Sequence, residues 1–398
     1  MSASLPDRQK FTRASTLERE ASPWHCLQSR AVFRYVGHDR RHGASTNMRF
    51  GLFASPQADG AQPGAGPGQG FFDFIDLCVE GEALGYCGVF MVEHHFSGWN
   101  QVSQPLALLT YLAARTRTLR LGTAVTVLPW HNPVLLAEQA ATLDLMSEGR
   151  LDLGVGKGYR HTEFKGFCIP IEEADARFEE ALDVMVKAWT TRERFSHRGK
   201  FWQFDDVIVE PPPRQTPHPP LWMAAGSAPS LRRVAARGHN LILDQFASIA
   251  QTAERLALYR SEVLARGAEF DSMRVTVARD MFVATTAAEK EAAIARNKQF
   301  HQRILNVARA PDRAGGSHIL AYSHSDEQEH SSPLIGTPDE ISTKLEGLRQ
   351  VGVRYVILGG GSRESLRRFA RDIMPAFANE RDPGMSAAVS APSCSASC

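Results

Sequence analysis

The feature that most constrains this chain is a repeated alternation. Short apolar runs are followed by segments of helical periodicity, from about residue 48 to residue 377. Eight runs read as strands: Arg49–Phe53, Gly88–Val92, Leu121–Val127, Leu151–Val155, Leu221–Ala225, Asn240–Leu243, Arg274–Ala284 and Val353–Leu358. Nearly all are followed by a helix. Asn132-Pro133 offers an N-cap and a first-turn proline to a helix stopped at Gly149, and Thr337-Pro338-Asp339-Glu340 is a capping box. Near Glu172–Thr190, Phe178, Ala181, Leu182, Met185, Val186 and Trp189 share one helical face. Such alternation demands a parallel sheet, because each return to the same end of the sheet needs a crossover. Eight units of this kind fit an α/β fold, a (β/α)8 TIM barrel with insertions, as a single domain over residues 48–380; a doubly wound open sheet is the alternative. A hairpin around Phe195–Phe204 is one such insertion.

The two ends read differently. The first 47 residues hold Arg8, Lys10, Arg13, Arg19, Arg30, Arg34, Arg40 and Arg41 against four acids, without sustained periodicity. Asp7, Glu18, Glu20 and Asp39 argue against a targeting peptide, so a disordered extension is expected. Residues 381–398 read as a flexible Ala/Ser tail. With 45 Lys+Arg against 44 Asp+Glu, the chain carries no general attraction to nucleic acid or anionic lipid. No apolar run reaches the roughly 18 residues of a membrane span. Six cysteines, at 26, 78, 87, 168, 394 and 398, are too sparse for a disulfide scaffold, so a reduced, cytoplasmic compartment is expected.

In a barrel of this type, function gathers where strands end and helices begin. Those junctions carry Glu93-His94-His95-Phe96, Thr123-Ala124-Val125, Gly154-Val155-Gly156-Lys157-Gly158-Tyr159-Arg160, Gly226-Ser227-Ala228-Pro229-Ser230 and Gly359-Gly360-Gly361-Ser362. His94 and His95 leave a strand on opposite sides and are poorly placed to share a metal ion, so no metal site is expected. One histidine of the pair is expected to face the pocket as an acid–base group, with His95 the packed one. The nucleotide motifs fail: Tyr159 stands where a third glycine is needed, and Gly158 where a P-loop needs Ser or Thr. The glycines instead let a planar ligand or a phosphate approach the backbone. Gly226, Ser227 and Ser230, opening a helix, offer N–H groups and hydroxyls to a phosphate, and Gly359–Ser362 offers the same. Lys157 and Arg160 read equally as phosphate partners or as solvated surface cations.

Taken in order, these segments resemble the bacterial luciferase-like flavin-dependent monooxygenases. The resemblance runs through Met48–Phe53, Glu93–Phe96, Leu121–Pro129, Leu143–Arg150 and Val155–Gly158, with Gly336-Thr337-Pro338-Asp339 as a late motif. It implies a (β/α)8 barrel using reduced FMN and O2 to oxidise a small organic substrate, oxygen adding at the flavin C4a carbon. It implies a catalytic role for His94 beside the flavin and for Glu93 near the ring. It implies a non-prolyl cis peptide at Ala124-Val125 beneath the ring, Gly156 at the flavin edge and Lys157 near the phosphate. It also tips the phosphate to Gly226, Ser227 and Ser230. Luciferase proper has an acidic residue where Gly226 stands and a tyrosine near Arg160, so light emission from a fatty aldehyde is not implied. No NAD(P)H motif is recognisable, so FMNH2 is expected from a separate, transiently bound flavin reductase. A homo- or heterodimer is expected. Two rivals stay open: an F420-dependent hydride-transfer enzyme of the same fold, and a non-catalytic subunit of a luciferase-like heterodimer. The long polar stretch Ala310–Pro333 is expected to act as a lid over the site.

Overall fold

The computed structural model describes residues 47–59, 66–308 and 332–378. The expected extension, tail and lid fall, but for their edges, outside those residues.

Among the described residues, eight parallel strands close a ring. They are β1 (Arg49–Ala54), β2 (Gly88–Met91), β3 (Arg120–Thr123), β5 (Leu151–Gly156), β8 (Leu221–Ala224), β9 (Asn240–Leu243), β10 (Val275–Val283) and β12 (Tyr355–Gly359). They pair in chain order, and β10 seals the ring by pairing with both β9 and β12. This is the barrel expected from the alternation, with no open edge. Two short strands lie off the ring: β4 (Thr126–Val127) beside β5, and β11 (Leu334–Gly336) beside β10. The insertion Phe195–Arg198 (β6) and Gln203–Val207 (β7) is an antiparallel hairpin.

The strands are buried on both faces, which is why they read as continuous apolar runs. Side chains alternate: Val89, Met91, Leu241 and Leu243 pack outward against the helices, whereas Phe90 and Ile242 fill the interior. The interior is plugged by Phe90, Trp222 and Tyr355, whose rings meet edge-on with centroids 5.7–6.1 Å apart. A plugged interior leaves function to the rim. Outside the barrel, Arg150 donates to the Ala113, Leu119 and Ser147 carbonyls and to Thr116 Oγ1, and the Asp144 carboxylate accepts from Gln215. The Leu143–Arg150 motif is therefore a fastener between elements, not part of the rim. No helix among the described residues is long and apolar enough to cross a membrane.

One expected strand is broken. Leu121–Val127 is not continuous, because the Ala124–Val125 peptide is cis and separates β3 from β4. The kink carries the chain hard against β5. A Cβ on Gly154 would lie 1.7 Å from the Thr123 carbonyl oxygen, and one on Gly156 would lie 2.5 Å from Val125 Cγ2. These two glycines, expected to admit a ligand, first of all admit the neighbouring strand.

Candidate active site

A cavity of about 1050 Å³ opens at the carboxyl ends of the strands. Round the rim the order follows the barrel: His94 after β2, the Ala124–Val125 kink after β3, Gly156 and Lys157 after β5, then Gly226, Ser227 and Ser230 after β8. Glu93 also borders it. Every residue singled out as a site residue from the sequence thus lines one cavity. Gly359 and Gly360 line it too.

Glu93 is 1% exposed and its oxygens are fully engaged. They accept from His95 Nε2 at 2.9 Å, His131 Nε2 at 2.7 Å and the Val127 N–H at 2.9 Å. Burial pushes its carboxyl up, but the donors His131, His95 and Val127 outweigh that and hold it below its ordinary value. Glu93 therefore ties the end of β2 to the far side of the kink. His95 spends its ring on this network and packs edge-on against Trp130 and Phe167, as expected of the packed member of the pair.

His94 behaves differently. Its Nδ1 lies 3.1 Å from Glu163 Oε1, and the same oxygen accepts the His95 backbone N–H at 2.9 Å. Against a carboxylate, Nδ1 carries the proton, so Nε2 is left with its lone pair. Burial holds the ring below its usual pKa, and the neighbouring Arg160 charge pushes the same way against Glu163 and Glu93. His94 is thus a neutral imidazole at pH 7, oriented by a buried carboxylate, in a side chain that lines the cavity.

Glu163 was missed from the sequence. It lies on the short helix α4 (His161–Gly166), whose six residues are too few to show a periodic face. Its only advance signal was an acid shortly after a strand-end glycine loop.

On the β8 side the helix α6 (Ala228–Ala236) begins with a capping box between Ser227 and Ser230, whose hydroxyls lie 2.9 Å apart. Lys157 is half exposed and pairs with Asp175 at 2.9 Å. Arg233, in the last turn of α6, reaches the same Asp175 at 3.9 Å. Asp175 thereby pairs with two cations that line the same cavity as the capped start of α6, and together with the Ser227 and Ser230 hydroxyls they can meet an anion. Arg233 also escaped the sequence reading.

The remaining wall comes from the long helix α8 (Ala287–Ala308). Its Ile304 and Leu305 pack with Tyr159 and Phe246, and its Asn297 and His301 donate to Asp280, which also borders the cavity. Phe300 and Ile304 of this helix line the cavity as well.

A flavin mononucleotide fits these residues. The cavity is large enough for a ring and a tail, Ala124 and Val125 of the kink line it, and the start of α6 sits two strands away from them around the rim.

Comparison with known proteins gives the same outline. The family model described as luciferase-like monooxygenase matches residues 48–355. An uncharacterised protein, y4vJ of Sinorhizobium fredii, is 32% identical over 58% of this chain and 65% of its own length. The oxygenase component of flavin-dependent trigonelline monooxygenase from Acinetobacter baylyi is 26% identical over 86% of this chain and 99% of its own length. The solved structure of the monooxygenase RslO1 from Streptomyces bottropensis superposes with a TM-score of 0.71 at 29% identity, covering 83% of this chain and all of that one.

Proposed function

The chain belongs to the luciferase-like monooxygenase family, and on that premise we propose that it is an oxygenase component using reduced FMN and O2 to place one oxygen atom in a small organic substrate. The observation that carries this reading is the shared cavity. The Ser227/Ser230 helix start, the cis Ala124–Val125 peptide and a carboxylate-oriented neutral imidazole follow one another round its rim.

In this reading Ser227, Ser230, Lys157 and Arg233 hold the phosphate. Ala124, Val125 and Gly156 border the ring, with Glu93 fixing the kink beneath it. Reduced FMN, when bound, supplies two electrons to O2, so that one oxygen atom enters the substrate and the other leaves as water. The protein's part is orientation, a proton path and exclusion of water. His94 is the catalytic residue: Nε2 takes or gives a proton near neutral pH, while Glu163 keeps Nδ1–H in place. Phe300 and Ile304 of α8, which line the cavity, help to exclude water from it.

The chain has no recognisable nucleotide-reduction motif, so a separate reductase supplies FMNH2 in this reading. The relative of similar length is itself named an oxygenase component. We carry forward a cytoplasmic homo- or heterodimer as the working form.

The test supplies FMNH2 from an unrelated NADH-driven reductase, under heavy-isotope O2, to the purified chain and a panel of small organic compounds. Mass spectrometry is expected to find a product bearing one labelled oxygen atom. Turnover that proceeds without O2 on reduced F420 would replace this reading with hydride transfer.

A further inference from the structure

Arg160 is a buried cation of the cavity wall whose chemistry the proposed cycle does not use. It follows the β5 glycine loop, is 2% exposed and lines the cavity. Its guanidinium is only partly occupied. Nη1 donates to Gln101 Oε1 at 3.3 Å and stands 3.6 Å from Glu163 Oε1. Its Nε and Nη2 have no hydrogen-bond partner among the described residues. A buried cation with two unmet donors is costly unless a ligand meets them.

The two unmet atoms are not an arbitrary pair. Nε and Nη2 share one edge of the guanidinium and point the same way, the fork that grips a carboxylate through two parallel bonds. Among the described residues, two other arginines use that fork on both oxygens of one carboxylate. Arg120 holds Asp152 through Nε at 2.5 Å and Nη2 at 2.7 Å, and Arg371 holds Asp372 at 2.7 and 2.8 Å. In both, two acceptor oxygens of one carboxylate meet the two donors. At Arg160 the same edge is buried and unmet, in a side chain that borders the cavity.

We infer that Arg160 takes the carboxylate of the organic substrate through Nε and Nη2, so that the substrates of this site are small organic acids. The inference rests on the reading of the cavity as an oxygenase site. The cofactor phosphate does not compete for this fork. Arg160 contacts Gln101 and Trp99 of the loop after β2, across β5 from the α6 start, where Ser227, Ser230, Lys157 and Arg233 gather. Charge favours an acid. Glu163 meets the opposite edge of the guanidinium, but its near oxygen already serves His94 and the His95 N–H. Arg160 then sits between two carboxylates, one its own and one the ligand's. Tyr159 and Trp99 lie against the guanidinium, with ring centroids 5.9 and 5.6 Å from its central carbon, and give the anchor aromatic walls. The same acid is thereby held close to His94, because Glu163 touches both residues.

The test uses calorimetric titration of the full chain with benzoate, phenylacetate and hexanoate, each against its own amide, in parallel with FMN. At least one acid is expected to bind ten times more tightly than its amide. Arg160→Gln is expected to abolish that preference and weaken the acid at least tenfold, with FMN affinity within threefold of the parent. Arg160→Lys, which keeps the charge but not the fork, is expected to fall between. If Arg160→Gln does not fold, Arg160→Lys decides alone: an acid preference reduced at least about threefold upholds the inference, and an unchanged preference overturns it. Three results overturn the inference: no acid preferred over its amide, an acid preference untouched by both substitutions, or FMN affinity falling while the acids bind as before. Acid preference dependent on Arg160 in a chain that binds no FMN would uphold the carboxylate fork and sink the cofactor reading instead.

Discussion

Consider Glu163→Gln. In the parent, Glu163 Oε1 accepts from His94 Nδ1 at 3.1 Å and from the His95 N–H at 2.9 Å. A glutamine carbonyl oxygen can occupy the same place and accept both bonds, since the backbone donor pins it there. The substitution therefore removes a charge and leaves the geometry. A hydrogen bond to a charged group contributes about 1.5–3 kcal/mol, against about 0.5–1.5 for a neutral one. The difference of roughly 1–1.5 kcal/mol corresponds to about one pKa unit on the imidazole. The sign follows from the environment. Burial and Arg160 hold His94 below its usual value while Glu163 raises it, so removing the Glu163 charge lowers it further. The assay is nitrogen NMR of histidine-labelled protein over pH 4 to 8, with His94 identified by the signal missing in His94→Gln. The parent is expected to show a neutral, Nδ1-protonated ring at pH 7. Glu163→Gln should titrate about one unit lower, and its activity–pH profile should move its acidic limb the same way. His94→Ala should cost about 10²–10⁴-fold in turnover, the usual contribution of a general acid–base group, with flavin affinity retained. A Glu163→Gln protein in which His94 titrates where it does in the parent would refute the pairing as the source of the orientation.

Two further outcomes follow from packing and burial. Gly156→Ala puts a methyl 2.5 Å from Val125 Cγ2 and should destabilise the chain by about 1–3 kcal/mol as the kink shifts. Adding Val125→Ala removes the colliding methyl, so chemical denaturation of the double variant should recover most of that loss. His239 is pushed down to about 4 by burial, with the His218, Arg237 and Arg274 charges adding to it. Its neutral form is the one the fold accepts, so stability falls as pH drops from about 6.5 to about 4, by at most roughly 3 kcal/mol. Urea unfolding of His239→Gln across that window should show a shallower acid loss than the parent; an unchanged slope would show that other groups carry it.

The barrel was legible because its signal is repeated. Eight apolar runs punctuated by caps such as Asn132-Pro133 leave few topologies open, and parallel strands need no alternation to be found. What escaped notice was short or non-local. The break at Ala124–Val125 is invisible to periodicity, since both residues extend an apolar run; only the family resemblance implied it. The strand β11 has three residues and α4 has six, too few to show a period. Arg160 read equally as a surface cation because its burial depends on Trp99 and Gln101, about sixty positions earlier. Glu93 was found where expected, but its partner His131 lies beyond the kink that the sequence does not show. The rim residues were legible by position at strand ends. Their roles came from who meets whom, and that is set by closure of the ring.

The proposal that bears most weight is that this cavity holds reduced flavin mononucleotide. The direct measurement is anaerobic equilibrium titration of the full chain with FMNH2, alongside FMN and F420 under the same conditions. FMNH2 is expected to bind most tightly, FMN more weakly, and both to weaken when Ser227 and Ser230 are replaced by alanine together. Binding of F420 with no saturable binding of FMNH2 would contradict the account.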